Sequence, residues 1–195
     1  MRLKFSKYHG TGNDFIMVYN YNNSYSLSQS SVKKICDRRY GIGADGLIII
    51  EKTLDADFKM IYYNADGFVG SMCGNGARCA ISFAKEIELI QNKCKFLAYD
   101  GMHKGLILEN GFVSIEMVDV TLIEEQNNIW KIDTGSPHLI CFKDTVSEID
   151  VKHEGASIRN SSNYIKDGIN VNFVQLSKNG IFIRTYERGV EDETL

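Results

Sequence analysis

The chain repeats itself at an offset of 123 positions, and that repeat constrains its fold more than any other feature. Thr11-Gly12 in T-G-N-D-F returns as Thr134-Gly135 in T-G-S-P-H, and Tyr63-Asn64 returns as Tyr186-Glu187. The segments leading to the second match, F-K-M-I-Y-Y-N and I-F-I-R-T-Y-E, share an alternating pattern that ends on an aromatic followed by a polar residue. Self-similarity of this kind is the mark of a duplicated unit. Two similar domains are therefore expected, one spanning 1–118 and the other 119–195. The polar, acidic stretch Asp119 to Asn128 is the natural boundary. No Pro-rich or Gly/Ser-rich tether separates the halves.

Within the first half, strand and helix patterns alternate. Phe15 to Tyr19 reads as a strand and Ser28 to Arg38 as an amphipathic helix. Gly46 to Glu51, G-L-I-I-I-E, is apolar without interruption and reads as a strand buried on both faces. Phe58 to Tyr63 is a further strand. Lys95 to Tyr99, Lys104 to Leu108 and Phe112 to Met117 follow, separated by Asp100-Gly101 and Asn110-Gly111, dipeptides that signal hairpins with positive φ at both central positions.

Between these groups lies N-A-D-G-F-V-G-S-M-C-G-N-G-A-R-C, Asn64 to Cys79. Ala77, Ala80, Ile81, Phe83 and Ala84 after Gly76 predict a buried helix, and Cys73 falls at its open N-terminus. There the unbonded backbone N–H groups and the positive end of the helix dipole favour a thiolate, lowering a thiol pKa from about 8.5, and can receive a carboxylate as well. Taken alone, Cys73 has a weaker second reading as a small buried residue near a turn, and Asn64 before Ala65-Asp66-Gly67 reads as a turn residue. Cys79, one and a half turns further on, reads as core packing.

Composition excludes several classes of function. A net charge of -3 and a sequence pI near 5.8 make no electrostatic case for nucleic acid. No basic run marks a membrane surface, and no stretch approaches the roughly 20 apolar residues of a membrane span. The N-terminus lacks the apolar core of a signal peptide. Five cysteines, Cys36, Cys73, Cys79, Cys94 and Cys141, show neither C-x-x-C nor zinc-ligand spacing, which points to a reducing, cytoplasmic compartment and no metal. Gly41, Gly43 and Gly46 satisfy G-x-G-x-x-G, but a helix precedes them and a strand follows, the wrong order for a dinucleotide site.

Y-H-G-T-G-N-D-F, R-R-Y-G-I-G-A-D-G-L, N-A-D-G with M-C-G-N-G-A-R-C, and Y-E-R-G-V-E-D-E-T together resemble the diaminopimelate epimerases, cofactor-independent enzymes of lysine and peptidoglycan synthesis. The resemblance runs from Phe5 to Leu195. It implies an α+β fold of two similar domains, each a curved, barrel-like mixed sheet around a central helix, with the site in a cleft between them and the second domain incomplete. It implies a small-molecule substrate, L,L-diaminopimelate, no cofactor, and a possible homodimer. Cys73 then corresponds to one of two acid/base thiols, with Gly74 and Asn75 giving backbone N–H groups to the substrate carboxylate. Asn13, Asn64 and Asn170 match substrate-contacting positions, and Glu187 and Arg188 match a pair that grips ammonium and carboxylate groups. His138 matches a histidine that helps set thiol protonation, so that Cys73, His138 and Glu187 form the catalytic set. Two positions depart from the family: Ser136 stands where many members carry Asn, and Gly46 where some carry Gln. In the family the last motif is followed by A-C-G-[ST]-G with the second thiol, whereas position 196, the counterpart of Cys73, lies one past Leu195. The expectation is that this sequence is a fragment of a chain at least about 50 residues longer, unstable or inactive in inversion by itself, yet able to exchange the α-proton on one face through Cys73.

The chemistry such a family performs suits these residues. Inverting an amino-acid α-carbon removes a weakly acidic proton from one face and delivers one to the other, and thiols serve both roles. Alternatives are a cysteine hydrolase using Cys73 with His138, for which T-G-S-P-H offers no orienting acid, a related isomerase of the proline racemase or phenazine-synthesis kind, and a noncatalytic binding protein. His9, His103 and His153 carry no motif and read as structural.

Overall fold

The computed structural model describes residues 3–121 and 123–194. The chain divides into two compact units, Met1–Val118 and Asp119–Leu195. Unit 1 is a seven-stranded mixed sheet whose strands lie side by side in chain order: β1 (Ser6–Gly10), β2 (Asn13–Tyr19), β3 (Gly46–Glu51), β4 (Phe58–Asn64), β5 (Lys93–Ala98), β6 (Gly101–Ile107) and β7 (Val113–Ile115). Helix α1 (Gln29–Cys36) crosses from β2 to the parallel strand β3, and α2 (Gly74–Glu86) joins β4 to the parallel strand β5.

Helix α2 touches β1, β2, β3, β4, β6 and β7. A straight helix can reach six strands of one sheet only if the sheet curls around it, so the strands form a half-barrel with α2 inside. Its Ala77, Ala80 and Ala84 let the backbone lie close to the strands, while Ile81 and Phe83 fill the space between them. The strands alternate accordingly: Phe15 and Met17 of β2 and Ile48 and Ile50 of β3 face the α2 core. Ile16, Val18, Leu47 and Ile49 pack on the opposite side with Val32 and Cys36 of α1. Burial on both faces is why G-L-I-I-I-E shows no alternation.

Unit 2 holds β8 (Ile123–Gln126), β9 (Ile129–Asp133), β10 (Pro137–Phe142), α3 (Val151–Arg159), β11 (Asn170–Ser177), β12 (Gly180–Glu187) and β13 (Asp192–Thr194), with sheet order β13-β12-β11-β10-β9-β8. The run β9-β10-α3-β11-β12 repeats β1-β2-α1-β3-β4 in order and direction: antiparallel, parallel through the helix, antiparallel. The internal repeat is thus a repeat of topology. Leu139, Cys141, Val171 and Phe173 form the face covered by α3, whose N-terminus is capped by the Asp150 carboxylate accepting from His153 N–H at 3.0 Å.

Two turn readings need correction. Gly101 and Gly111 have φ of 130° and 84°, but neither Asp100 nor Asn110 has positive φ. Asp100 belongs to a two-residue loop, Tyr99–Asp100, closed by the Ala98↔Gly101 pair. Asn110 precedes a left-handed glycine whose N–H bonds the Leu108 carbonyl at 2.9 Å, the three-residue loop with a bulge. Two-residue turns with positive φ at both positions lie elsewhere, at Thr11 (52°) and Gly12 (91°) between β1 and β2 and at Asn127 (54°) and Asn128 (61°) between β8 and β9.

Candidate active site

The end of β4 and the start of α2 define the first group of residues. Asn64 closes β4, and its backbone N–H and carbonyl are bonded to Phe68 and Gly67, which turns the chain toward α2. Cys73 is the N-cap of α2 with φ -120° and ψ 112°, and its sulfur accepts from the Gly76 N–H at 3.4 Å. A hydroxyl or carboxylate usually takes this position, so a thiol here places sulfur at the positive end of the dipole. Gly76 has no side chain because a Cβ would lie 2.8 Å from Ile48 Cδ1.

The Cys73 thiol also donates toward Asn13 Oδ1 at 3.8 Å. Asn13 is 2% exposed, and its amide nitrogen donates to Asp45 Oδ2 at 2.9 Å, which fixes the oxygen on the sulfur side. Asp45 is held in turn by Arg38 at 2.7 Å and by the Asp14 backbone N–H at 3.1 Å. Arg38 and Lys7 both bond Asp14 at 2.7 Å. Burial pushes the Asp14 carboxyl up, but the bonds from Arg38 and Lys7 outweigh it and hold the group well below the usual carboxylate range. Asn75 is bonded by Thr11 Oγ1 at 3.2 Å and by Arg78, so β1, its hairpin and α2 are tied together at this spot. The site therefore offers sulfur one donor, suited to its thiolate, and one acceptor, suited to its thiol.

The other cysteines are different. Burial pushes the thiols of Cys36, Cys79 and Cys94 up to about 11 and that of Cys141 upward as well. Gly46 packs under the Tyr62 ring and against the Tyr63 carbonyl, where a Cβ would lie 2.4 Å from the ring edge and 2.6 Å from the oxygen. A larger residue would have to displace that aromatic.

Unit 2 gathers the second group at the equivalent end of its sheet. His138 and Asn170 are partners across β10 and β11, and the Val171↔Tyr186 pair sets Asn170 beside Glu187, the last residue of β12. Asn170, 5% exposed, donates to Ser136 Oγ at 2.9 Å and to the Pro137 carbonyl at 3.1 Å, and accepts from the Arg188 N–H at 2.9 Å. It thereby joins the T-G-S-P-H turn to the E-R-G turn. The Arg188 guanidinium donates to the Asp167 carbonyl at 3.0 Å. Burial drives the half-buried His138 ring below its ordinary pKa and Arg188 acts in the same direction, while the Asn172 contact and the Asp133 charge oppose them.

Cys73 thus stands with Asn13, Gly74 and Asn75 in unit 1, with Asn64 at the end of β4 opposite Gly46, and His138, Asn170, Glu187 and Arg188 come together within unit 2. The sequence reading missed Asp45, Arg38, Arg78 and Asn172. Asn172 has a signal, since I-N-V-N-F-V places two asparagines on one face of an otherwise apolar strand.

The duplicated mixed-sheet fold is shared with solved structures of an epimerase and of phenazine biosynthesis proteins. Among solved structures, a phenazine biosynthesis protein of the PhzF family from Bacillus anthracis matches with a TM-score of 0.66 at 13% identity, covering 98% of this chain and 74% of that one. A hydroxyproline epimerase from Agrobacterium vitis, with bound trans-4-hydroxy-L-proline, matches at 0.64 and 11% identity, covering 94% of this chain and 70% of that one. The family model for diaminopimelate epimerase matches residues 5–122. A diaminopimelate epimerase of Flavobacterium psychrophilum is 50% identical over 195 residues, 99% of this chain and 76% of the relative, and one from Chlorobaculum tepidum is 41% identical over 194 residues, 95% of this chain and 76% of the relative. The chain belongs to the diaminopimelate epimerase family.

Proposed function

We propose that the protein interconverts L,L- and meso-diaminopimelate by α-proton transfer, with Cys73 as the acid/base on one face of the α-carbon. The observation that carries this reading is the pair of contacts on its sulfur, the Gly76 N–H and the Asn13 carbonyl oxygen, in a chain of this family. An acid/base that works in both directions needs both of its protonation states supported, and each contact supports one. The Gly74 and Asn75 N–H groups, at the open end of α2, receive the substrate carboxylate and stabilise the charge that builds up as the proton leaves. Asn13 and Asn64 position the substrate. In unit 2, Glu187 and Arg188 grip an ammonium and a carboxylate of this doubly zwitterionic molecule, Arg188 by paired hydrogen bonds. His138 and Asn170 complete that group. The buried thiols of Cys36, Cys79, Cys94 and Cys141 suit a reducing cytoplasm.

The test is proton exchange. In D2O the protein is incubated with L,L-diaminopimelate and the α-proton signal is followed by NMR. Loss of that signal, abolished in Cys73→Ala, is the expected result. Exchange that survives Cys73→Ala, or that is absent from a folded wild-type protein, overturns the proposal.

A further inference from the structure

Three strands of unit 2 bring Thr185, Asn172 and His138 into one hydrogen-bonded row. Asn172 and Thr185 are partners across β11 and β12, and Asn172 lies two residues beyond Asn170, the partner of His138, on the same face. Asn172 is 7% exposed. Its amide nitrogen lies 3.0 Å from the Leu139 carbonyl oxygen and 3.1 Å from His138 Nδ1, and its oxygen lies 2.9 Å from Thr185 Oγ1.

A carbonyl oxygen can only accept, so the end of the amide that faces Leu139 is the NH2 end. That same NH2 faces His138 Nδ1. Two N–H groups cannot be directed at one another, so Nδ1 is bare and the ring proton sits on Nε2. Were the amide turned over, its oxygen would favour an imidazolium, but the turn would set oxygen against the Leu139 carbonyl. The Thr185 hydroxyl donates to the amide oxygen and holds the side chain in place, but it could equally accept from an NH2, so the Leu139 carbonyl alone fixes which end faces the ring. Topology does not demand this row, because the repeat places Phe15 and Ile48 of unit 1 at the positions of His138 and Asn172, and there the face is apolar.

We infer that Asn172, held by Leu139 and Thr185, is a positioning residue that locks His138 in the neutral Nε2–H form, so that His138 serves the reaction as a hydrogen-bond donor. A neutral N–H donor can stabilise an anion beside it, a carboxylate or a thiolate, without surrendering its proton. The charged neighbours of the ring, Arg188 and Asp133, act on it in opposite directions, and burial favours the neutral form; the Asn172 contact could raise the ring's pKa only with the amide oxygen on Nδ1, the orientation that the Leu139 carbonyl disallows. The functional half of this inference rests on the participation of His138 proposed above; the tautomer does not.

The experiment labels the full chain with 15N-histidine, giving four rings, and assigns His138 by the signals that vanish in His138→Gln. Long-range proton–nitrogen correlations near neutral pH are expected to show Nε2 protonated and Nδ1 bare. Asn172→Asp, whose carboxylate accepts from Nδ1–H, should move the proton to Nδ1 or charge the ring, and should lower kcat at least about tenfold with KM changed less than about twofold. Thr185→Val, nearly isosteric, should weaken the lock in the same sense. A wild-type ring carrying a proton on Nδ1 overturns the inference irrespective of how the variants fold, and so does an unchanged tautomer in a folded Asn172→Asp. If the tautomer switches while proton exchange is untouched, the donor role falls and with it the participation of His138.

Discussion

Cys73 and Cys79 lie six residues apart on one stretch of chain, each followed by small residues, yet the fold gives them opposite surroundings. Cys79 is 4% exposed, sits in the core that α2 builds with the sheet, and has its thiol pushed up to about 11 by burial. Cys73 is half-buried at the N-cap, with a backbone N–H aimed at its sulfur. The difference teaches that two thiols on one short stretch are set apart by their position relative to the open amides of a helix. Neither residue type nor the local run of glycine and alanine separates them.

The strongest challenge to that contrast is substitution at the two sulfurs. Cys73→Ala should reduce α-proton exchange by at least about 10³-fold, since a proton-transfer group is removed outright, while costing only the lost helix cap, about 0.5–1 kcal/mol. Asp45→Asn comes next. With one NH2 turned toward its donors, the new side chain cannot hold the Asn13 amide in its present sense, and exchange should fall about 10- to 100-fold, read as kcat, through loss of the acceptor on sulfur. Cys79→Ala should do the reverse of Cys73→Ala, costing about 1–2 kcal/mol in denaturant unfolding and leaving the exchange rate in place.

The smallest expected effect lies behind Asn13. Asp14→Asn should cost about 1 kcal/mol at neutral pH, a modest value because Arg38 is largely exposed. The folded carboxyl is held below its unfolded value, so its contribution is complete above about pH 4 and disappears as pH falls through the native value. Wild type and variant should therefore converge in acid-unfolding curves. A penalty that stays constant to low pH would show that Asp14 acts through packing.

How much of this could be read from sequence depends on where each signal resides. Strand β3 and helix α2 are legible because their burial is written as an apolar run and a small-residue face. The edge strand β8 is not: all four of its residues are exposed, and it falls in the polar stretch that reads as a boundary. Strand β1, S-K-Y-H-G, has no β-branched residue and is defined by its hairpin to β2. At the site, Cys73 and its glycines are recognisable as a motif, whereas the Asp45 carboxylate that orients Asn13 and the Asn172 amide against His138 arise from strand pairing over 32 and 34 positions. Periodicity carries no information at that range.

The most direct test of the central claim is the pH dependence of alkylation by iodoacetamide in the native protein, resolved cysteine by cysteine by mass spectrometry. The account predicts that Cys73 reacts first, with a rate that levels off below the ordinary thiol value of about 8.5, while Cys36, Cys79, Cys94 and Cys141 react only on unfolding. A Cys73 rate still climbing above that value, or protection equal to that of Cys79, would contradict it.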